Sequence, residues 1–188
     1  MTKRWKFLRE NLISENGDLH WEKGVWKKQE GEMKLCENGF HCSKKVYQAF
    51  SYVQGEILAQ VEVRGKKDVQ DDKEAWSEMK IVRTWKWQKK DSVSLSIFAA
   101  ELCLKNFEKV FPNDKRPREA IEAAKRWLES PTKENEAAAW SAESAVWSAE
   151  LAARSAGLAG LAAGSELVSK IADWMDKRVK VLEELKKI

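Results

Sequence analysis

Cys36-Glu37-Asn38-Gly39-Phe40-His41-Cys42 puts two thiols and an imidazole within seven residues, the densest grouping of nucleophilic and metal-ligating side chains in this chain. With His20 the set supplies the sulfur and nitrogen ligands that zinc favours. The spacing opposes a zinc site. Cys42 directly follows His41, adjacent side chains of a strand point to opposite faces, and no Cys-x-x-Cys or His-x-x-x-His pair is present. A Cys36 or Cys42 nucleophile activated by His41 would need an orienting carboxylate, and none is identified by the sequence. The expected roles are therefore buried thiols and a hydrogen-bonded histidine, with no metal and no cofactor. Asp71, Asp72, Lys73 and Glu74 read as an acidic, solvated loop before Trp76, and Asp114 with Arg116 as a turn fixed by capping and an ion pair. The glycines are scattered singly, so neither a G-x-G-x-x-G nor a Walker loop is available to cradle a phosphate.

The segments that position these residues divide the chain near residue 90. Over residues 1–90 the pattern is α+β: a small, mostly antiparallel β-sheet with one short helix. Ile57 to Val63 is the clearest strand, Met79 to Trp87 a second, and two more are expected around the Asn16-Gly17-Asp18 turn, with His20 to Trp26 on its far side. Val46, Ala49, Phe50 and Val53 mark a short amphipathic helix, with Ser43 as its N-cap. Residues 91–188 read as an Ala-rich bundle of about four helices. Leu95, Phe98, Ala99, Leu102, Cys103, Phe107 and Val110 draw one broad stripe that ends at Phe111-Pro112. Pro117 opens a helix that buries Ala120, Ile121, Ala124, Trp127 and Leu128. Ala137 to Gly164 is dominated by small residues, and Trp140 and Trp147 recur one heptad apart as knobs for neighbouring helices. A last helix is expected from Leu167 to Leu185, with Asp173, Lys177, Lys180, Glu184 and Lys187 on its solvent face.

Composition bounds the function. Of the 188 residues, 43% are hydrophobic and 34% charged, and no apolar run approaches the ~20 residues of a membrane span. The polar start MTKRWKFLRE reads against a leader, and three cysteines, an odd number, fit a reducing compartment, so a cytoplasmic protein is expected. Residues 1–91 carry 19 Lys and Arg against 15 Asp and Glu, which accounts for the whole net charge of +4. Lys27, Lys28, Lys44, Lys45, Lys66 and Lys67 are interrupted by acids, so direct nucleic-acid binding is not expected.

Three resemblances add to this reading. Phe107, Glu108, Pro112, Asp114, Arg116, Pro117, Ala120 to Ala124 and Trp127, followed by the small-residue segment, resemble the immunity proteins of bacterial polymorphic-toxin systems. In those, a helix ending in Phe-Glu precedes a Pro-x-Asp-x-Arg-Pro turn, an Ala-Ile-Glu-Ala-Ala helix and alanine-rich helices. That resemblance implies a helical scaffold that binds another protein, and it names no reaction. The Cys36 to His41 phrase resembles a domain of unknown function of small bacterial and phage proteins, in which Cys-x-x-Gly-Phe-His precedes a short helix and a Val-Glu-Val strand. A weaker echo is of poly-ADP-ribosylating ADP-ribosyltransferases, which implies His41 and Tyr52 in a nicotinamide pocket for NAD. Those enzymes carry their catalytic Glu on a late strand, where this chain reads as helix, so Glu56 or Glu62 would have to serve.

The function expected from these features is non-enzymatic. The protein is read as an inhibitor of the immunity or phage anti-defence type, anti-CRISPR-like, that occludes a bacterial toxin or defence nuclease. The lysine pairs above and Trp140 and Trp147 are its candidate contacts. An NAD-dependent transferase is the alternative, and a structural helical oligomer, for instance a homodimer through the tryptophan heptad, is a third.

Overall fold

The computed structural model describes residues 2–53, 55–132 and 161–185. The chain forms two compact units, Met1–Trp87 together with Met175–Ile188, and Gln88–Trp174.

The first unit is an antiparallel sheet. Its spine is a long hairpin of β4 (Ile57–Val69) and β5 (Glu74–Lys86). β1 (Thr2–Leu8) pairs with β4, while β2 (Trp26–Lys28) and β3 (Phe40–Cys42) pair with successive stretches of β5. The ladder between β4 and β5 shifts register at Gln60/Val61 and at Arg64/Lys67. Such irregularities sharpen strand twist, and here the sheet coils until β1 meets the end of β3. Trp5 and Ser43 exchange backbone hydrogen bonds of 2.9 Å in both directions, which makes the strands a ring: β1-β4-β5-β3 and back to β1. At the second shift Gly65 has φ +88°, and a Cβ there would stand 2.2 Å from Ser77 Oγ, the atom that accepts the Lys66 N–H.

The core holds Leu8, Ile57, Ala59, Val61, Val63, Met79 and Ile81 with Leu12, Trp21, Phe40 and Cys42. α1 (Val46–Tyr52) packs Phe50 against Phe7 and Trp87 at ring distances of 5.4 and 5.5 Å. Its N-cap is Lys45, whose N–H donates to Gln48 Oε1, and Ser43, the expected cap, lies two residues earlier in the bridge to Trp5. The strands also run differently from the sequence expectation. β5 begins at Glu74 rather than Met79, and the Asn16-Gly17-Asp18 turn is flanked only by the Ile13–His20 bridge, the true strand beginning at Trp26.

In the second unit, α2 (Lys89–Val110) and α3 (Arg116–Glu129) pack through Val93, Ile97, Ala100 and Leu104 against Ile121, Ala124, Trp127 and Leu128. This seam is rotated from the expected one, since Phe98 instead stacks on Trp174, 5.9 Å away, of α4 (Leu161–Val179). Phe111-Pro112 ends α2, and Asp114 ties the turn by accepting hydrogen bonds from the Arg116 backbone N–H at 3.1 Å and its guanidinium at 2.9 and 2.6 Å.

The expected final helix stops at Val179. Glu184 bridges to Trp85 and ion-pairs with Arg83 at 2.6 Å, and the Leu185 N–H donates to the Thr84 carbonyl at 2.8 Å. Glu183 to Leu185 therefore bridge to the open edge of β5, where the backbone beyond the helix finds its partners. Residues 137–160, with Trp140, Trp147 and their repeat, lie outside the described residues, as does Lys187.

Candidate functional site

Beyond the Trp5–Ser43 bridge, β1 and β3 have no further pairing among the described residues, and a cleft of about 460 Å³ opens beside them. Its walls are Trp5, Lys6 and Phe7 from β1 and Phe40 to Ser43 from β3, with Tyr52 of α1, Lys73 of the hairpin turn, and the loops carrying Glu15 and Cys36 to Gly39. The volume falls in the range of small-molecule sites, ~300–1,000 Å³.

Inside it His41 is committed to structure. Its Nε2 accepts the Cys36 N–H at 2.9 Å, and its ring has a hydrogen bond with the Gly39 backbone. Burial, then the charges of Lys6 and Lys73, hold its pKa below the ordinary value, so it sits neutral, clamping a loop in which Cys36 has φ +66°. Cys42 is buried, and desolvation pushes its thiol up to about 12, which removes it as a nucleophile at neutral pH. Cys36 is exposed, with Lys73 Nζ 3.0 Å from its sulfur. Tyr52 donates to Asp72 Oδ2 at 2.6 Å, and the Lys73 ammonium lies over its ring at 4.7 Å. The structure thus brings His41, Cys36 and Tyr52 to one cleft. His20 is elsewhere, bridged to Ile13, and no group of three or more His, Cys, Asp or Glu poised to hold a metal occurs among the described residues.

Two features of β1 were not read from the sequence. Register places Arg4 opposite Val61 and Lys6 opposite Ala59, so two cations of β1 share the core face with Leu8. Arg4 meets Glu74, only 2% exposed, in a two-pronged ion pair of 2.6 and 2.9 Å, and Trp76 Nε1 donates to the same carboxylate at 2.8 Å. Burial raises the Glu74 pKa, but these hydrogen bonds and the Arg4 charge outweigh it, leaving the carboxyl below its usual value. The expectation that Glu74 belongs to a solvated loop is corrected: Asp71 and Asp72 sit in the hairpin turn, and Glu74 begins the strand behind it. Lys6 is the second feature. Its Nζ donates to the His41 carbonyl at 3.1 Å, and desolvation lowers its pKa. The alternation in Lys3-Arg4-Trp5-Lys6-Phe7 signals a strand, yet it suggests cations out and aromatics in. The inner face of the ring is the core and α1 packs Phe50 on Phe7 from the other side, so neither set stays fully in solvent.

A different surface carries most of the lysines singled out earlier. On one face of β2, β5 and β4, Trp26 lies opposite Lys80 and Lys80 opposite Glu62, and in the next row Lys28 lies opposite Glu78 and Glu78 opposite Arg64. The Arg64 guanidinium stands 4.1 Å and the Lys80 ammonium 5.0 Å from the Trp26 ring centre. Arg64 pairs with Glu78 at 2.8 Å and Lys80 with Glu62 at 2.9 Å. Lys66 and Lys67 continue along β4, Lys67 over the Trp76 ring at 5.2 Å, and Lys27 lies on β2. Lys44 and Lys45 stand apart from these, at the start of α1.

The class these observations define is a coiled antiparallel sheet with a lateral cleft, followed by helices. Residues 2–90 are similar to a family described as "Domain of unknown function (DUF7666)", a match that runs from β1 into the first turn of α2. No curated protein and no solved structure matches the chain. No described helix is long and apolar enough to cross a membrane.

Proposed function

We propose that this protein is a non-catalytic inhibitor of the immunity or anti-defence type, which docks on an acidic surface of a bacterial toxin or defence nuclease and occludes it. The observation that carries this reading is Trp26, partly exposed, with the Arg64 guanidinium and the Lys80 ammonium over its ring. Trp and Arg are among the residue types most often found as interface anchors, and a ring already contacted by two cations loses little freedom on docking. Around it Lys28, Arg64, Lys66, Lys67 and Lys80 outnumber Glu30, Glu62 and Glu78, five cations to three carboxylates, which suits an acidic partner.

The test is a pull-down with the full-length tagged protein from lysates rich in toxins and defence complexes, beside a Trp26→Ala, Lys28→Glu, Lys67→Glu variant that melts like the wild type. One stoichiometric protein held by the wild type and lost by the variant supports the reading. No partner at micromolar concentration, or equal retention by both, overturns it.

The NAD-dependent transferase is the second reading, supported by the placement of His41 and Tyr52 in one cleft. The imidazole Nε2 and the Tyr52 face are occupied from within, which weighs against it. Transfer of label from NAD to protein, abolished in His41→Ala and Tyr52→Ala, would restore it in place of the inhibitor.

A further inference from the structure

Lys6 and Lys73 are the two cations that line the cleft, and neither faces a carboxylate among the described residues. Arg4, Arg64, Lys80 and Arg83 each meet a carboxylate within 2.9 Å. Among the described residues no carboxylate lies within ion-pair distance of Lys6 or Lys73; Lys6 Nζ has the His41 carbonyl, and Lys73 Nζ has the Cys36 sulfur and the Tyr52 ring. The acids nearest the cleft are engaged elsewhere or stand at its rim. Glu74 is held by Arg4, Glu37 by Lys34 at 2.6 Å and Asp72 by the Tyr52 hydroxyl, while Glu15 is exposed. An ammonium without a counter-charge in a concave space, here walled in part by aromatic side chains, is where a ligand can supply that charge.

We propose that the cleft is a binding site for a small organic anion, a flat unsaturated body bearing one carboxylate or phosphate. The anionic group sits between Lys6 and Lys73, and the flat body lies against the part-exposed ring of Trp5. Neither the backbone carbonyl nor the thiol already on these amines neutralises them, so both ammoniums remain available to an anion. His41 contributes shape rather than charge, since its Nε2 is taken by Cys36. This site is separate from the Trp26 face and does not rest on the inhibitor reading.

Calorimetric titration of the full-length protein with phenyl phosphate, benzoate, inorganic phosphate and uncharged benzyl alcohol tests it. One-to-one binding of phenyl phosphate or benzoate is expected, with none of benzyl alcohol. Lys6→Met and Lys73→Met are each expected to weaken that binding about tenfold or more. Without ligand, Lys6→Met should melt no lower than the wild type, because it removes an uncompensated charge from the core face; Lys73→Met, in the hairpin turn, gives an independent variant if Lys6→Met does not fold. No saturable binding of either aromatic anion, or binding unchanged in Lys73→Met, overturns the site. Inorganic phosphate binding as tightly as phenyl phosphate overturns the flat organic body.

Discussion

The core face of β1 and the outer face of β2, β5 and β4 both carry charge, and they handle it in opposite ways. On the outer face cation and carboxylate alternate across neighbouring strands, half in water, with Trp26 beneath two of the cations. On the core face there is one buried pair, Arg4 with Glu74, and one ammonium, Lys6, with a carbonyl for a partner. In water, ion pairs are cheap to form and cheap to lose, so the outer face can present charge to a partner without putting the fold at risk. Out of water, each charge is expensive unless matched, so an unmatched one marks a place where the fold tolerates a cost. The comparison locates the ligand candidate in the cleft and the docking candidate on the outer face.

The sharpest way to break this contrast is to remove one partner of the buried pair. Glu74→Leu is expected to lose about 3–5 kcal/mol in urea unfolding, while an Arg4→Met, Glu74→Leu double variant recovers most of it. A loss below about 1 kcal/mol would make this pair no different from a surface one.

Acid reads the same pair. The folded Glu74 pKa lies below its ordinary 4.5, so its stabilisation is fully present above that pH and drains away as pH falls through the lower folded value. The wild type should therefore lose stability faster than Glu74→Gln below pH 4.5; parallel curves would show that Glu74 does not carry the acid limb.

The thiols sharpen the contrast kinetically. At pH 8, iodoacetamide should modify exposed Cys36 on the order of a hundredfold faster than Cys42, whose pKa is about 12, with Cys42 reacting only on unfolding. Comparable rates measured by mass spectrometry would mean that the region around Cys42 opens to water.

The smallest effects belong outside. Arg64→Ala, which strips one cation from Trp26 and one ion pair from the surface, should change stability by no more than about 1 kcal/mol. At the far end of the scale, Asp114 in the helical unit should titrate by NMR near its lowered value of about 2, set first by the Arg116 hydrogen bond, and move up in Arg116→Gln with no measurable change in melting. An Asp114 titration insensitive to that substitution would remove the ion pair as its cause.

Much of the fold was legible because its signals are local. Ile57 to Val63, the break at Phe111-Pro112, the Asp114–Arg116 turn and the buried side of α3 follow from propensity, breakers and periodicity within a few residues. Of the site, the Cys36 to Cys42 phrase was conspicuous by residue type, while Lys6 and Glu74 were not, since their surroundings come from strands tens of residues away. Ser43 looked like an N-cap by sequence neighbourhood and became half of the bridge that closes the ring.

The sequence by itself determined an α+β half followed by helices, the opposite facing of His41 and Cys42, and the basic surplus of the first 91 residues, because alternation, turn chemistry and charge are written residue by residue. Only the tertiary structure decided that the sheet coils into a ring, that Arg4 and Lys6 face its core, that Glu74 leaves solvent and that Glu183 to Leu185 return to the edge of β5. Those outcomes depend on which strand edges and carboxylates meet across long stretches of chain, and pairing at such distance leaves no periodic trace in the sequence.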